Sequence, residues 1–168
     1  LRVWLFLMAF TVVIAALFAK LNAQGDRVAL KRLAQRSALL LTAATIPVVI
    51  AAVVFGEALL SVFGTQYVNA YSILLILMVG QFINALTGSV GFLLNMTNHE
   101  QVMGNIVITS SVVTILASVV GTWLFGVTGA ACAVTLGLAI NNLTAAFFVY
   151  KYLGFVTIPG LQWVGNHK

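Results

Sequence analysis

Long apolar segments follow one another along almost the whole chain, and short polar connections separate them. Charged residues make up 7% of the 168 residues, and hydrophobic residues make up 62%. A soluble domain carries about 25% charged residues, so water is a poor solvent for a chain of this composition. Each segment is close to or above the roughly 20 residues that a helix needs to cross a bilayer. The sequence therefore predicts an all-α, polytopic membrane helix bundle with five transmembrane helices, at residues 1–19, 37–55, 71–95, 106–125 and 127–150.

The third predicted span carries polar groups at its centre. Gln81, Asn84, Gly88, Gly91 and Asn95 recur at three- and four-residue steps, which places them on one face of a helix. Polar groups at bilayer depth cost free energy unless they face protein or water. The span therefore either packs against other helices or lines a cavity.

Similar polar stripes occur in the fourth span, at Ser111, Thr114, Ser118, Gly121 and Thr122, and in the fifth, at Gly137, Asn141 and Thr144, with Asn142 beside them. Small and hydroxyl residues allow helices to approach closely, so packing is the favoured interpretation for the serines, threonines and glycines.

For the amides of Gln81, Asn84 and Asn141 both interpretations stay open, and these three are candidate substrate-cavity residues. Arg2 is a fourth candidate, since it either snorkels to the interface or faces an aqueous cavity.

The net charge of +5 is concentrated in one connection, at Lys20, Arg27, Lys31, Arg32 and Arg36. Basic residues beside membrane spans usually mark the cytoplasmic side, so no nucleic-acid partner is expected. Residues 26–36 form an amphipathic pattern that predicts a short interfacial helix, with its cations among lipid headgroups. A partner-binding helix is the alternative. With loop 20–36 in the cytoplasm, the tail 151–168 is also cytoplasmic.

Three local signals concern helix geometry. Asp26 follows Gly25 and is a suitable cap for the next helix. Pro47 lies inside the second span and predicts a helix kink, with Thr42 and Thr45 able to bond the freed carbonyls. Residues 125–127 predict a very tight turn between the last two spans.

Residues that could carry catalysis are sparse and scattered. The three carboxylates, Asp26, Glu57 and Glu100, lie at predicted helix ends or loops and form no acid–base pair. His99 and His167 lack further metal ligands at useful spacing. The sequence therefore predicts no enzyme, no metal site and no cofactor.

The order of these features resembles a known family. A span ending in LFAKLNAQGDRVALKRL, a proline-containing span, and the stretch FGEALLSVFGTQYVNAYSILLILMVGQFINALTGSVGFLLNMTNHE follow one another. This order resembles the C-terminal part of bacterial polysaccharide and O-antigen flippases, in the multidrug/oligosaccharidyl-lipid/polysaccharide exporter superfamily. The most specific piece is GQFINALTGSVGFLLNMTNHE, residues 80–100. Relatives usually have glycine at the position of Asn98, which implies a left-handed turn that asparagine also tolerates.

The resemblance implies that residues 1–168 are a fragment, a partial C-terminal lobe of a twelve-helix transporter in the bacterial inner membrane. It implies alternating access that moves a polyprenyl-pyrophosphate-linked oligosaccharide to the periplasmic leaflet for surface polysaccharide (lipopolysaccharide) synthesis. The implied partners are membrane lipids, this lipid-linked substrate, the N-terminal lobe of the same protein, and polysaccharide polymerase and chain-length proteins. A cation-coupled multidrug exporter and a non-transporting scaffold for glycan-assembly enzymes are the alternatives.

Overall fold

The structure, a computed structural model, describes residues 16–157 of the chain, and this part is all-helical without a β-strand. Arg2, most of the first predicted span and most of the tail lie outside the described residues. The helices are α1 (described over 16–23), α2 (Arg27–Phe63), a 3₁₀-helix (Thr65–Ala70), α3 (Tyr71–Thr87), α4 (Val90–Met96) and α5 (Glu100–Leu153).

Three helical segments are long and apolar enough to cross a membrane, and they are Arg27–Phe63, Thr65–Thr87 and Glu100–Leu153. Many of their large apolar side chains point outward; Trp123 is 85% exposed and Val62 is 81% exposed. A monomeric soluble protein rarely exposes apolar surface on this scale. The predicted all-α membrane character therefore agrees with both the helix lengths and the outward apolar surface.

α2 is one continuous helix of 37 residues. Asp26 caps it as predicted, because its carboxylate accepts a hydrogen bond of 2.9 Å from the Ala29 N–H. The prediction of a separate interfacial helix over 26–36 is corrected by the structure, because these residues continue directly into the second span. That span ends at Phe63 and not at residue 55. The physical reason is that nothing interrupts the hydrogen-bond ladder between residues 36 and 37, while Leu30 and Ala34 extend the buried stripe toward Ala38.

Pro47 lies within α2, and the helix continues through it. Proline frees the Ala43 carbonyl, and the neighbouring hydroxyls bond carbonyls two and five residues before it. Thr45 donates to the Leu41 carbonyl at 2.7 Å, and Thr42 donates to the Ala38 carbonyl at 2.8 Å. Thr42 also lies 3.2 Å from the Ala85 carbonyl of α3, so it ties the two helices together.

The predicted span over 71–95 is interrupted, which is a second correction. α3 ends at Thr87, Gly88 has φ +69°, and α4 begins at Val90. A left-handed φ suits glycine and stops an α-helix. The close passage of α2 adds a packing reason, since a Cβ at position 88 would lie 2.5 Å from the Ala38 Cβ.

α5 is a helical hairpin, with arms 100–125 and 127–153 on either side of Gly126 (φ +63°, ψ −146°). The tight turn predicted at 125–127 is therefore confirmed. The arms run antiparallel: Gly121 faces Gly129, Thr114 faces Gly137, and the Ser110 hydroxyl donates to Asn141 Oδ1 at 3.1 Å. A Cβ at Gly129 would overlap the Gly121 carbonyl, so only glycine allows this approach. These six residues are termed the hairpin seam.

One end of the bundle collects the basic start of α2, the turn before α5 and the chain after α5. Gln35 donates to the Val156 carbonyl at 3.1 Å, and Phe155 is buried in a cluster with Phe18 and Leu30. The turn at residues 97–99 includes Asn98, whose φ of 62° confirms the left-handed conformation. The cluster is completed by residues of α2, α4 and α5, namely Ala34, Val90, Leu93, Leu94, Ile106, Ala145, Val149 and Leu153.

Candidate functional site

The break after α3 lies beside a concavity lined by several amide and hydroxyl side chains. Because α4 leaves the direction of α3 at Gly88, a groove of about 450 Å³ opens between α2, α3, α4 and α5. It is termed the amide groove. Its lining residues are Leu41, Thr45, Gln81, Asn84, Ala85, Gly88, Ser89, Gly91, Phe92, Asn95, Met103, Asn141 and Asn142.

Three of the four candidate cavity residues, Gln81, Asn84 and Asn141, come together in this groove. The fourth, Arg2, lies outside the described residues. Gln81 and Asn84 are exposed one turn apart on α3, so the neighbouring helices leave both amides open to the groove. The role of these residues in binding stays a prediction, while their placement in one groove is a property of the fold.

The exposed amides retain most of their hydrogen-bonding capacity. Asn84 Nδ2 lies 3.5 Å from Gln81 Oε1, which is the outer limit of a hydrogen bond. Each side-chain amide offers two N–H donors and a carbonyl with two lone pairs. A pair of such groups at one-turn spacing can bind a ligand that has several hydroxyl or carbonyl groups.

Asn142 forms the rear of the groove and is only 7% exposed. Its Nδ2 donates to the Leu138 carbonyl at 2.9 Å, and its Oδ1 accepts from the Thr87 hydroxyl at 3.4 Å. Thr87 is itself buried and bonds the Asn84 carbonyl at 3.0 Å. The Asn142 side chain therefore holds α3 against the second arm of α5.

Asn141 is intermediate in exposure between the exposed amides of Gln81 and Asn84 and the buried amide of Asn142. It is half-buried and lines the groove, while its Oδ1 accepts the seam hydrogen bond from Ser110. It connects the hairpin seam to the amide groove. Asn95 and Thr45 also line the groove and were not predicted as site residues. Asn95 continues the sequence stripe of Gln81, whereas only the long-range approach of α2 brings Thr45 there.

The lining of the amide groove is neutral among the described residues, because its polar members are amides and hydroxyls. No cluster of three or more potential metal ligands occurs in the described range 16–157. Of the predicted topology and headgroup residues, Lys20, Arg27, Arg32 and Arg36 are exposed and Lys31 is half-exposed. None of these five lines the groove. The structure therefore separates the cationic surface from the neutral polar site.

Two further grooves flank the α5 hairpin. One, of about 430 Å³, includes Asn105, Thr109 and Thr144 and ends at Phe148 and Tyr152. The other, of about 450 Å³, includes Ser111, Thr114 and Gly137. Both are bounded mainly by apolar side chains and by hydroxyls of the two arms, so they offer fewer free amides than the amide groove.

No family model, curated protein or solved structure gives a significant match to this chain.

Proposed function

We propose that the chain is a lobe of a bacterial flippase that moves a lipid-linked oligosaccharide across the cytoplasmic membrane. The observation that carries the proposal is the amide groove, where Gln81 and Asn84 are exposed within a helical bundle whose outer surface is mainly apolar. The resemblance of residues 80–100 to such flippases supports the same function.

A sugar head group cannot cross about 30 Å of hydrocarbon without hydrogen-bonding partners. Neutral amides and hydroxyls in the groove offer both donors and acceptors to sugar hydroxyls. The lipid tail needs no such path, since the outer surface of the helices is apolar and the tail stays in the bilayer. In this proposal the N-terminal lobe of the same protein faces the groove and completes the cavity.

The proposed topology has five spans, with the two arms of α5 crossing separately. Each arm has about 25 residues, or ~38 Å at 1.5 Å per residue, which is enough to cross. The basic start of α2, the 97–99 turn and residues 154–157 meet at one end of the bundle. This grouping supports a cytoplasmic position for all three, in line with the distribution of cations.

The experiment is complementation of surface glycan display in a bacterial strain that lacks its own copy of the full-length transporter. We expect Gln81→Ala and Asn84→Leu each to lower the surface glycan without lowering the amount of protein in the membrane. Gln101→Ala and Asn69→Leu are matched controls, because both residues are exposed and lie outside the amide groove. Normal glycan display by both groove variants would contradict the proposed role of the groove.

A further inference from the structure

A small notch lies at the end of the bundle where α1, α2 and α5 meet. Its volume is about 40 Å³, and it is far more enclosed than the amide groove. The lining residues are Asn22, Arg27, Leu30, Thr97, His99, Tyr152, Leu153 and Phe155. They come from four separate stretches of the chain, so the notch exists only in the folded bundle. It is termed the basic notch.

The polar side of the basic notch is built around His99. The Thr97 hydroxyl donates to the Leu93 carbonyl at 2.8 Å, and the same oxygen lies 3.4 Å from His99 Nδ1. The imidazole stacks on the Tyr152 ring with centroids 4.5 Å apart. Both contacts hold the ring in place, so its position at the notch is fixed before any ligand arrives.

Arg27 is the one charged residue among the described residues that line the basic notch. Arg27 lines it, and Lys151 Nζ lies 5.8 Å from the centroid of the Tyr152 ring that forms one wall. None of the described lining residues is acidic. Two exposed carboxylates are adjacent in sequence to lining residues: Asp26, which accepts a hydrogen bond from the Ala29 N–H, precedes Arg27, and Glu100 follows His99. A guanidinium beside amide, hydroxyl and imidazole groups is a donor set typical of phosphoryl recognition.

One side of the basic notch is formed by buried apolar side chains. Leu30, Leu153 and Phe155 are 2%, 9% and 4% exposed. A hydrogen bond to an anion is stronger beside such a low-dielectric surface than in bulk water. The cavity volume exceeds the about 10–15 Å³ that one water molecule needs. It therefore has room for one or more phosphoryl oxygens.

We propose that the basic notch binds a phosphoryl group, with Arg27 as the charged donor and Asn22, His99 and Tyr152 as its polar companions. The phosphoryl group belongs either to an anionic lipid headgroup at the membrane surface or to a free phosphate. This site is separate from the amide groove, and it stands whether or not the protein transports a glycan.

The test measures the thermal stability of the purified protein in detergent micelles during titration with three probes. The probes are dioctanoyl phosphatidylglycerol, inorganic phosphate, and dioctanoylglycerol, which has no phosphate. Ligands that bind only the folded state raise the Tm in proportion to occupancy, so the titration gives an apparent Kd. We expect phosphatidylglycerol to bind more tightly than dioctanoylglycerol.

Two substitutions locate the site. Arg27→Gln should weaken phosphoryl binding about tenfold, as expected for a lost charge-assisted hydrogen bond, and His99→Gln should weaken it to a smaller extent. Arg32→Gln is the matched control: it removes the same charge from an exposed residue on the same helix, outside the notch, and should change the Kd less than about twofold.

Binding of phosphatidylglycerol alone identifies a lipid headgroup as the ligand, and binding of both phosphoryl probes extends the site to free phosphate. Equal weakening by Arg27→Gln and Arg32→Gln would overturn the proposal, because surface charge would then account for the binding. Failure of both phosphoryl probes to bind the parent protein would overturn it as well.

Discussion

The hairpin seam and the amide groove use the same kinds of residue for opposite purposes. In the seam, polar and small residues of one α5 arm meet small or polar residues of the other, and Ser110 bonds Asn141 directly. In the groove, Gln81 and Asn84 face outward with only a marginal contact between them. The difference shows that a polar stripe in a membrane helix gains its role from what faces it.

The register of the hairpin explains why the seam is closed. In each facing pair, a glycine leaves room for a polar group of the other arm. Gly129 faces the Gly121 carbonyl, and Gly137 faces the Thr114 hydroxyl. Close backbone contact of this kind supplies the packing that holds membrane helices together. Among the described residues, no helix packs as closely against Gln81 and Asn84, since both side chains are exposed to the amide groove.

The largest expected effect comes from filling the seam. Gly129→Ala places a Cβ against the Gly121 carbonyl, where the backbone must move to accept it. We expect a loss of about 3 kcal/mol of unfolding free energy or more, as for severe overpacking, measured by denaturant unfolding in micelles.

The matched control is Gly104→Ala on the first arm of α5, where a Cβ meets nothing within 4 Å. This change should stabilise the helix by about 0.5–1 kcal/mol, because alanine has the higher helix propensity. Equal behaviour of the two variants would show that the seam is not closed.

The second largest expected loss of stability comes from substituting Gly88, where α3 ends beside the amide groove. Gly88→Ala introduces both an unfavourable φ of +69° and a contact of 2.5 Å with the Ala38 Cβ. We expect a loss of about 2–3 kcal/mol from the two terms together, measured by the same unfolding experiment.

Two further variants separate the cost of the positive φ from the cost of the contact with Ala38. Gly25→Ala has a similar φ of +68° with nothing within 4 Å, so it should lose only the backbone term. Ala38→Gly should restore part of the loss of Gly88→Ala. If Gly25→Ala and Gly88→Ala are equally destabilising, then α2 does not pack against the break.

A smaller effect distinguishes the buried amide from the exposed one. Asn142→Ala removes the acceptor of Thr87 and the donor to the Leu138 carbonyl, at a residue that is 7% exposed. We expect a loss of about 1–2 kcal/mol. Asn84→Ala should change the unfolding free energy by less than about 0.5 kcal/mol, since Asn84 is exposed. A larger loss for Asn84→Ala would assign it a packing role.

Local chemistry made several features of the fold predictable. Asp26 begins a helix and Gly126 makes a turn, because each depends on the residue itself and its immediate neighbours. The left-handed conformation of Asn98 was implied by the family resemblance, since relatives usually have glycine at that position. The all-helical character followed from the apolar segments. These features need no knowledge of which helices touch.

Features that depend on long-range contacts were missed or left open. The stretch 71–95 reads as one apolar span, and its break at Gly88 depends partly on the approach of Ala38 from α2. Similarly, Asn141 and Asn142 are neighbours in sequence, but Asn142 is buried because Thr87 faces it. The sequence stripes placed Gln81 and Asn84 on one face of α3, while the open groove in front of them required the fold.

The most direct test of the contrast between seam and groove is the reactivity of single cysteines toward a charged, membrane-impermeant thiosulfonate. In a Cys132→Ser background, Gln81→Cys reports on the groove, Ser110→Cys on the buried seam, and Val79→Cys on the apolar outer face, where Val79 is 57% exposed. A thiol must ionise to react, and lipid or protein burial suppresses ionisation. We predict that the cysteine at position 81 reacts at least about tenfold faster than the other two. Reaction at position 81 that is as slow as at positions 79 and 110 would contradict an aqueous amide groove.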